Sequence, residues 1–278
     1  MKSVLITGCS NGGLGCALAF AFQKRDFHVF ATARSISKMS DLSDLPNITF
    51  LALDVTKPDQ IAAAVSVVSE KTGGTLDYLI NNAGNNRYMP VLDEDLDACR
   101  ALFEINVWGS LAVTQAFAEL VIKARGVIVG VSSVGGHFNT PYMATYAATK
   151  RSFEIYLDTL RLELSPFGVR VVSLVTGAVK SNGNSYFEDL ALPENSLFKP
   201  VEEQVLARAK WEDGVPREEA QKWADRVVKR LTSGASGHLW EGIAAGTMWF
   251  MERVVPFWIM DRLVAMGTGL GKLGKKEE

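Results

Sequence analysis

Cysteine is scarce in this chain of 278 residues: Cys9, Cys16 and Cys99 form no Cys-x-x-Cys pair and leave an odd count. That argues against a disulfide framework and for a reducing compartment, with the thiols as small buried hydrophobes. Histidine is as sparse. His28, His137 and His238 lie scattered without metal-ligand spacing, so no metal is expected, and His137 reads as a passive loop residue. A charge excess is also missing. With 29 Lys and Arg against 31 Asp and Glu the formal net charge is -2, which makes nucleic acid an unexpected partner. No run of about 18 uncharged apolar residues is present for a membrane-spanning helix. The nearest approach, 242–270, is broken by Glu252, Arg253, Asp261 and Arg262. The opening MKSVLITG is too briefly apolar for a secretory signal, and the expected location is the cytoplasm.

At 47% hydrophobic residues the chain can bury a sizeable core. Short β-branched runs at 2–7, 27–33, 48–53, 76–80, 127–131 and 169–175 suit strands buried on both faces. Helical patterns lie between them, at 16–24, at 58–71 with Pro58 in an early position, over a long stretch 92–125, and again from Tyr146. Strands alternating with helices predict an α/β fold, a doubly wound parallel sheet of Rossmann type, in a single domain over 1–278. A C-terminal helical extension is expected on the substrate side.

The rhythm loosens after the sixth strand. Residues 176–215 read as an irregular substrate flap, given an apolar inner surface by Phe187, Leu190, Leu192, Leu197 and Phe198. A helix is expected over 216–231 and a last strand over 238–243. The apolar segment 243–270, interrupted by Pro256, reads as a helix pair over the substrate site or a subunit interface. The competing reading is a membrane patch, with Trp249, Phe257 and Trp258 dipping into lipid. The tail 271–278 is expected to be disordered.

Polar motifs fall at the carboxyl ends of the predicted strands, where open parallel sheets bind ligands. The first strand runs into Gly8-Cys-Ser-Asn-Gly-Gly-Leu-Gly15 and then a helix, which makes a phosphate cradle of exposed amides and a positive dipole end. The second ends in Thr32-Ala33-Arg34. A carboxylate there would bind a ribose 2′-hydroxyl, whereas Arg34 suits a 2′-phosphate, so NADPH is favoured over NADH. The fifth is followed by Ser133, Tyr146 and Lys150. Residues four apart share a helix face, so the Lys150 ammonium is expected to lower the Tyr146 pKa towards general-acid range. A hydroxyl such as Ser133 can hold a carbonyl oxygen as charge develops on it. The trio suits proton delivery to a ketone, with hydride coming from a cofactor.

Together these residues resemble the short-chain dehydrogenase/reductase family over about Lys2 to Lys180. The family's Asn-Asn-Ala-Gly signature stands as Asn81-Asn82-Ala83-Gly84, and its Asn-Ser-Tyr-Lys group as Asn106, Ser133, Tyr146 and Lys150. The resemblance implies that Tyr146 exchanges a proton with the substrate oxygen and that Lys150 holds the nicotinamide ribose. It implies that Ser133 positions the carbonyl, that Asn106 supports a water relay, and that Asp54 meets the adenine. NADPH/NADP+ contacts follow at Gly8, Ser10, Asn11, Gly13, Leu14 and Gly15. Others follow at Val55, Asn82, Ala83 and Gly84, and at Thr176, Gly177 and Val179. The sequence departs from the family in two places: the glycine loop is one residue longer, and Thr176-Gly177 replaces Pro-Gly.

The longer loop, the Thr-Ala-Arg ending and Thr176-Gly-Ala-Val-Lys180 resemble a fungal branch that includes NADPH-dependent 1-acyldihydroxyacetone-phosphate reductases. The 17β-hydroxysteroid dehydrogenases share part of that character. The expected activity is NADPH-dependent reduction of a hydrophobic ketone. Candidate substrates are an acyl-dihydroxyacetone phosphate of lipid synthesis, a secondary-metabolite ketone and a steroid-like ketone. Arg87, Lys180 and Lys199 could meet a phosphate. The non-enzymatic rival is an NADP(H)-binding sensor, which would tolerate loss of Ser133, Tyr146 or Lys150. The family further implies a homodimer or homotetramer, commonly joined through the Asn106 and Tyr146 helices.

Overall fold

The computed structural model describes residues 1–274. Seven strands form one parallel sheet in the order β3-β2-β1-β4-β5-β6-β7. They are β1 Ser3–Ile6, β2 His28–Ala33, β3 Ile48–Ala52, β4 Tyr78–Asn81, β5 Val127–Ser133, β6 Arg170–Thr176 and β7 Gly237–Glu241. The helices are α1 Leu14–Gln23, α2 Pro58–Thr72, α3 Leu96–Phe103, α4 Ser110–Ala124, α5 Ala144–Leu164, α6 Glu202–Ala209, α7 Ala220–Thr232, α8 Ala245–Val254 and α9 Phe257–Ala265. The order reverses between β1 and β4, so the switch point of the sheet lies at their carboxyl ends.

Successive side chains of a strand point to opposite faces, and each face has its own core. Val4 and Ile6 of β1 join α1 and α7 on one side; Leu5 joins α2, α4 and α5 on the other. Burial on both faces is why the strands read as unbroken apolar runs. Helix α7 meets the sheet with one stripe, Trp223, Ala224, Val227, Val228 and Leu231, and leaves its charged face to solvent. Each fully buried Leu or Phe contributes about 2 kcal/mol to these cores. Cys9 and Cys16 are buried, as small hydrophobes would be, and Cys99 is half-buried.

The long helix expected over 92–125 forms as α3 and α4 joined by a π-helical segment, Glu104–Gly109, that carries Asn106. Asp95 starts it, its carboxylate accepting from the Asp97 amide. Gly109 lets this segment approach the β3–α2 loop: a Cβ there would lie 2.7 Å from Val55 Cγ2. Leu96–Ala124 is the one helix among the described residues long and apolar enough to cross a membrane, ahead of 242–270. Its apolar residues Val113, Phe117, Leu120 and Val121 belong to the core instead.

The flap is more ordered than expected, with a 3-10 turn at Asn182–Phe187 and helix α6. Phe187 and Leu192 are buried, but Leu197 is exposed rather than inward-facing. The helix expected from Pro216 begins at Ala220, because Glu218 is held extended in a bridge to Val179. The segment after β7 forms the expected pair, α8 and α9, broken at Pro256. Of the tail 271–278 expected to be disordered, Gly271 and Lys272 belong to a 3-10 turn, Leu270–Lys272, and 275–278 lie outside the described residues.

Candidate active site

The ends of β1 and β4 are laced together at the switch point. The Thr7 hydroxyl accepts from the amides of Asn82 and Ala83, both at 2.9 Å, and Asn82 Nδ2 donates to the Thr7 and Gly8 carbonyls at 2.7 and 3.0 Å. Gly8 has φ +75°, and a Cβ on it would lie 2.9 Å from Ala83 Cα; a Cβ on Gly15 would lie 2.4 Å from the Gly8 carbonyl oxygen. Neither site admits a side chain. Helix α1 then starts with Gly13 as its N-cap and no side chain bonded to its first amides. Free amides at a helix N-terminus beyond a central strand form an anion cradle.

The extra residue of the loop is used within the protein. The Asn11 amide donates to the Lys38 carbonyl at 2.7 Å, and its side chain bonds the Ser40 hydroxyl and the Asp41 amide. Gly8, Ser10, Asn11, Gly13 and Leu14 line the cleft above, whereas Gly15 sits behind it as a spacer. Arg34 and Asp54 stand at the ends of β2 and β3 and line the far end of the same cleft. Burial alone would raise the Asp54 carboxyl. The Thr56 amide and hydroxyl, at 3.0 and 2.8 Å, together with the charges of Arg34 and Lys57, hold it below its ordinary value.

The catalytic candidates converge on the other end. Ser133 closes β5, its hydroxyl accepting from the Gly135 amide at 3.1 Å. Helix α5 presents Tyr146 and, one turn on, Lys150, whose ammonium lies 5.8 Å from the phenol ring centroid and donates to the Val131 carbonyl at 2.9 Å. Asn106 clasps the chain after β4 to α5. Its Nδ2 donates to the Asn85 carbonyl and the Thr149 hydroxyl, both at 3.0 Å, and its Oδ1 accepts from the Asn85 amide at 2.8 Å. Gly84 keeps the space before the ammonium open, since a Cβ there would lie 3.6 Å from Lys150 Nζ and 3.1 Å from Asn106 Oδ1.

The electrostatics depart from expectation. Burial pushes the Tyr146 phenol up to about 12, against the pull of the Ser133 hydroxyl and with the Tyr88 phenol adding to the rise. Burial brings the Lys150 ammonium down to about 8, although Glu154 works the other way. In the protein alone, therefore, the lysine does not lower the tyrosine. Its ammonium is turned to a backbone carbonyl, and loss of water dominates both groups.

His137 is not passive. Its buried imidazole lies 2.9 Å from Glu154 of α5 through Nε2 and 2.8 Å from Glu252 of α8 through Nδ1, against the Trp240 ring at 4.6 Å. Burial would lower this imidazole, but the two carboxylates outweigh it and hold it above its ordinary value. Glu154 also receives the Ser132 hydroxyl and Arg151. One histidine thus ties the loop after β5 and helix α5 to the C-terminal hairpin.

Arg34, Asp54, Ser133, Tyr146 and Lys150 share a cleft of about 1070 Å³, whereas Asn106 lies buried behind it. Val55, Asn82, Ala83, Gly84, Thr176, Gly177 and Val179 line it as well. Gly177, in place of a Pro-Gly pair, still needs its hydrogen: a Cβ there would lie 2.3 Å from the Ile243 carbonyl oxygen. Beyond Tyr146 the walls turn apolar, with Met143 and, from the segment 243–270 read as lying over the substrate site or a subunit interface, Met248, Met251, Met260 and Val264. The three cations expected to suit a phosphate are all paired: Arg87 with Glu94, Lys180 with Glu219, and Lys199 with Glu194 and Glu202.

The sequence profile described as short chain dehydrogenase matches residues 2–189. A short-chain dehydrogenase of Penicillium ochrochloron is 41% identical over 269 residues, covering 97% of this chain and 98% of its own. The NADPH-dependent 1-acyldihydroxyacetone phosphate reductase of Schizosaccharomyces pombe is 39% identical over 209 residues, 74% of this chain and 70% of its own. Among solved structures, a short chain dehydrogenase from Burkholderia cenocepacia in complex with NADP superposes with a TM-score of 0.75 at 25% identity, over 95% of this chain and 99% of that one.

Proposed function

The chain belongs to the short-chain dehydrogenase/reductase family, and from that premise we propose that it reduces a hydrophobic ketone with NADPH, Tyr146 giving the proton. The observation that carries this reading is the convergence of Ser133, Tyr146 and Lys150 with the uncapped N-terminus of α1 on one cleft. A nicotinamide dinucleotide, when bound, supplies hydride to the carbonyl carbon. The open amides of the first turn after Gly13 fit its pyrophosphate, and Arg34 fits a 2′-phosphate. The NADP bound to the Burkholderia protein and the name of the fission-yeast relative support the same cofactor.

The residues of the chain divide the remaining work. Ser133 donates to the carbonyl oxygen as negative charge grows there, and Tyr146 transfers its phenolic proton to that oxygen. With its phenol near 12, Tyr146 is protonated at neutral pH, the form a donor needs. The Lys150 ammonium, near 8 and mostly charged at neutral pH, stabilises the phenolate that remains. Asn106 holds Asn85 and Thr149 in place around them. A sensor module would have no use for this intact trio. The methionine-lined walls favour an apolar ketone, with an acyl-dihydroxyacetone phosphate or a secondary-metabolite ketone as the candidate classes. NADPH oxidation against a ketone panel, with Tyr146→Phe as control, tests the reading. NADPH binding without tyrosine-dependent turnover of any ketone would favour the sensor.

Arg34→Asp is expected to reduce the preference for NADPH over NADH roughly 10–100-fold, the value of losing a charge-assisted contact. Comparison of kcat/KM with the two cofactors checks it. An unchanged ratio would mean that the 2′-phosphate is held by another group.

The reading extends to two surfaces. On α8 and α9 the aromatic residues Trp249, Phe250, Phe257 and Trp258 face outward. The acids turn in, Glu252 to His137 and Asp261 to Asn139, while Arg253 and Arg262 lie over Trp249 and Trp258. Aromatics bordered by arginines favour seating on the cytoplasmic, anionic face of a membrane. A second apolar strip, Trp108, Ile155, Tyr156 and Leu162, supports a homodimer or homotetramer joined through the Asn106 and Tyr146 helices. Sedimentation with and without anionic phospholipid vesicles tests both. An oligomer is expected in buffer, and movement with vesicles only while Trp249, Phe257 and Trp258 are intact. A monomer in buffer would remove the first idea; vesicle binding by a triple serine variant would remove the second.

A further inference from the structure

Most cations around the substrate end of the cleft already have partners. Arg87 faces Glu94, Lys199 faces Glu194 and Glu202, and Arg217 pairs with Asp213 at 3.0 Å while lying over the Trp211 ring. Arg208 is different. It lies on α6, half-buried, and lines the cleft, yet among the described residues its guanidinium has neither a carboxylate nor a hydrogen-bond acceptor.

Its neighbours place it near the chemistry. The Arg208 charge bears on the phenols of Tyr88 and Tyr142, opposing the rise that burial causes in both. The Tyr88 phenol in turn bears on Tyr146. Neither neighbouring phenol offers a counter-charge. Tyr142 donates to the Thr268 carbonyl at 2.8 Å, and Tyr88 is engaged with Asn86 and Trp211. A guanidinium drawn partly out of water without an acceptor is costly, because its five donors lose hydration and gain nothing in return. An incoming anion that takes two of those donors removes the cost and gains a charge-assisted fork.

We propose that Arg208 binds an anionic group of the ketone substrate, a carboxylate or a phosphate, while the apolar body of that substrate lies against Met143, Met260 and Val264. The inference rests on the reductase reading and narrows its substrate class from hydrophobic ketones to amphipathic ones. It also supplies the cation that Arg87, Lys180 and Lys199, all paired, do not.

The test compares matched ketones with NADPH: a long-chain keto acid against its methyl ester, and an acyl-dihydroxyacetone phosphate against its unphosphorylated parent. The first pair reports carboxylate, the second phosphate. The wild type is expected to prefer the charged member of one pair. Arg208→Met should cut that preference about 10–100-fold, chiefly through KM, with Arg208→Lys restoring part of it. An unchanged preference in Arg208→Met overturns the proposal, as does a wild type that favours the uncharged member of both pairs. A parallel NADPH titration guards against a cofactor role: weaker NADPH binding by Arg208→Met also overturns it. Calorimetric binding of the corresponding hydroxy acid and glycerol phosphate to the NADP+ complex separates the two levels. Arg208-dependent binding without turnover would count against the reductase reading alone, and no binding of either anion would count against Arg208.

Discussion

Tyr146→Phe is expected to lower kcat for ketone reduction roughly 10³-fold or more, the scale of losing a positioned general acid, while NADPH binding changes little. The substitution removes one oxygen and leaves the ring that packs beside Lys150 and over Gly135. The loss should therefore appear in kcat and not in the thermal midpoint. In the proposed mechanism Ser133 only hydrogen-bonds the carbonyl oxygen, so it does not replace the proton donor. Tyr88 is the one other phenol whose charge is felt at Tyr146, and burial raises it too. Substantial turnover by Tyr146→Phe would therefore point to Tyr88 or a water as the donor. The double variant with Tyr88→Phe would separate those two.

Why these groups were readable from the chain, and others were not, follows from how far their causes extend along it. The strands announced themselves because a parallel sheet buried on both faces leaves no room for alternation. The glycine loop did so because Gly8 and Gly15 each meet backbone where a Cβ would go. Tyr146 and Lys150 sit one helical turn apart, a local relation that spacing alone conveys. The π-helical segment at Glu104–Gly109 has no such local signature. It differs from its flanks only in the reach of its backbone hydrogen bonds, i→i+5 rather than i→i+4, which no side chain need announce. His137, Glu154 and Glu252 come from three separate segments, so their meeting is a property of the folded chain alone. The same holds for Arg208 among Tyr88 and Tyr142. The direction of the Tyr146 shift departs from expectation for a related reason: sequence shows that a cation is near, but not how much water the phenol has lost.

That loss of water makes Lys150 the site of the second large effect. Lys150→Met is expected to abolish turnover and yet to stabilise the ligand-free fold near neutral pH. In the unfolded chain the lysine holds its proton up to 10.5, whereas in the fold burial brings it to about 8. Below pH 8 both states are protonated, and the fold bears the whole penalty, about 3 kcal/mol at 1.36 kcal/mol per pH unit. Between pH 8 and 10.5 the unfolded state binds more protons, so stability rises with pH until the penalty is gone. Tyr146 has the opposite sign. Its folded value of about 12 lies above the ordinary 10, so stability falls as pH climbs from 10 to 12. The hydrogen bond to the Val131 carbonyl, lost in the variant, offsets about 1 kcal/mol of the gain. Urea midpoints at pH 7.5 and 9.5 check this as a difference between the two proteins, because burial also raises the Cys9 and Cys16 thiols to about 12 and 11 and so weakens both proteins alike above pH 9: Lys150→Met should start higher, and its advantage should shrink by pH 9.5. A variant weaker than the wild type by the same margin at both pH values would mean that Glu154 compensates the buried ammonium in full. The low dielectric that penalises this charge in the empty fold is also what lets it act on a phenolate across several ångströms. Stability given up at Lys150 and the proton transfer proposed at Tyr146 would be two consequences of one buried position.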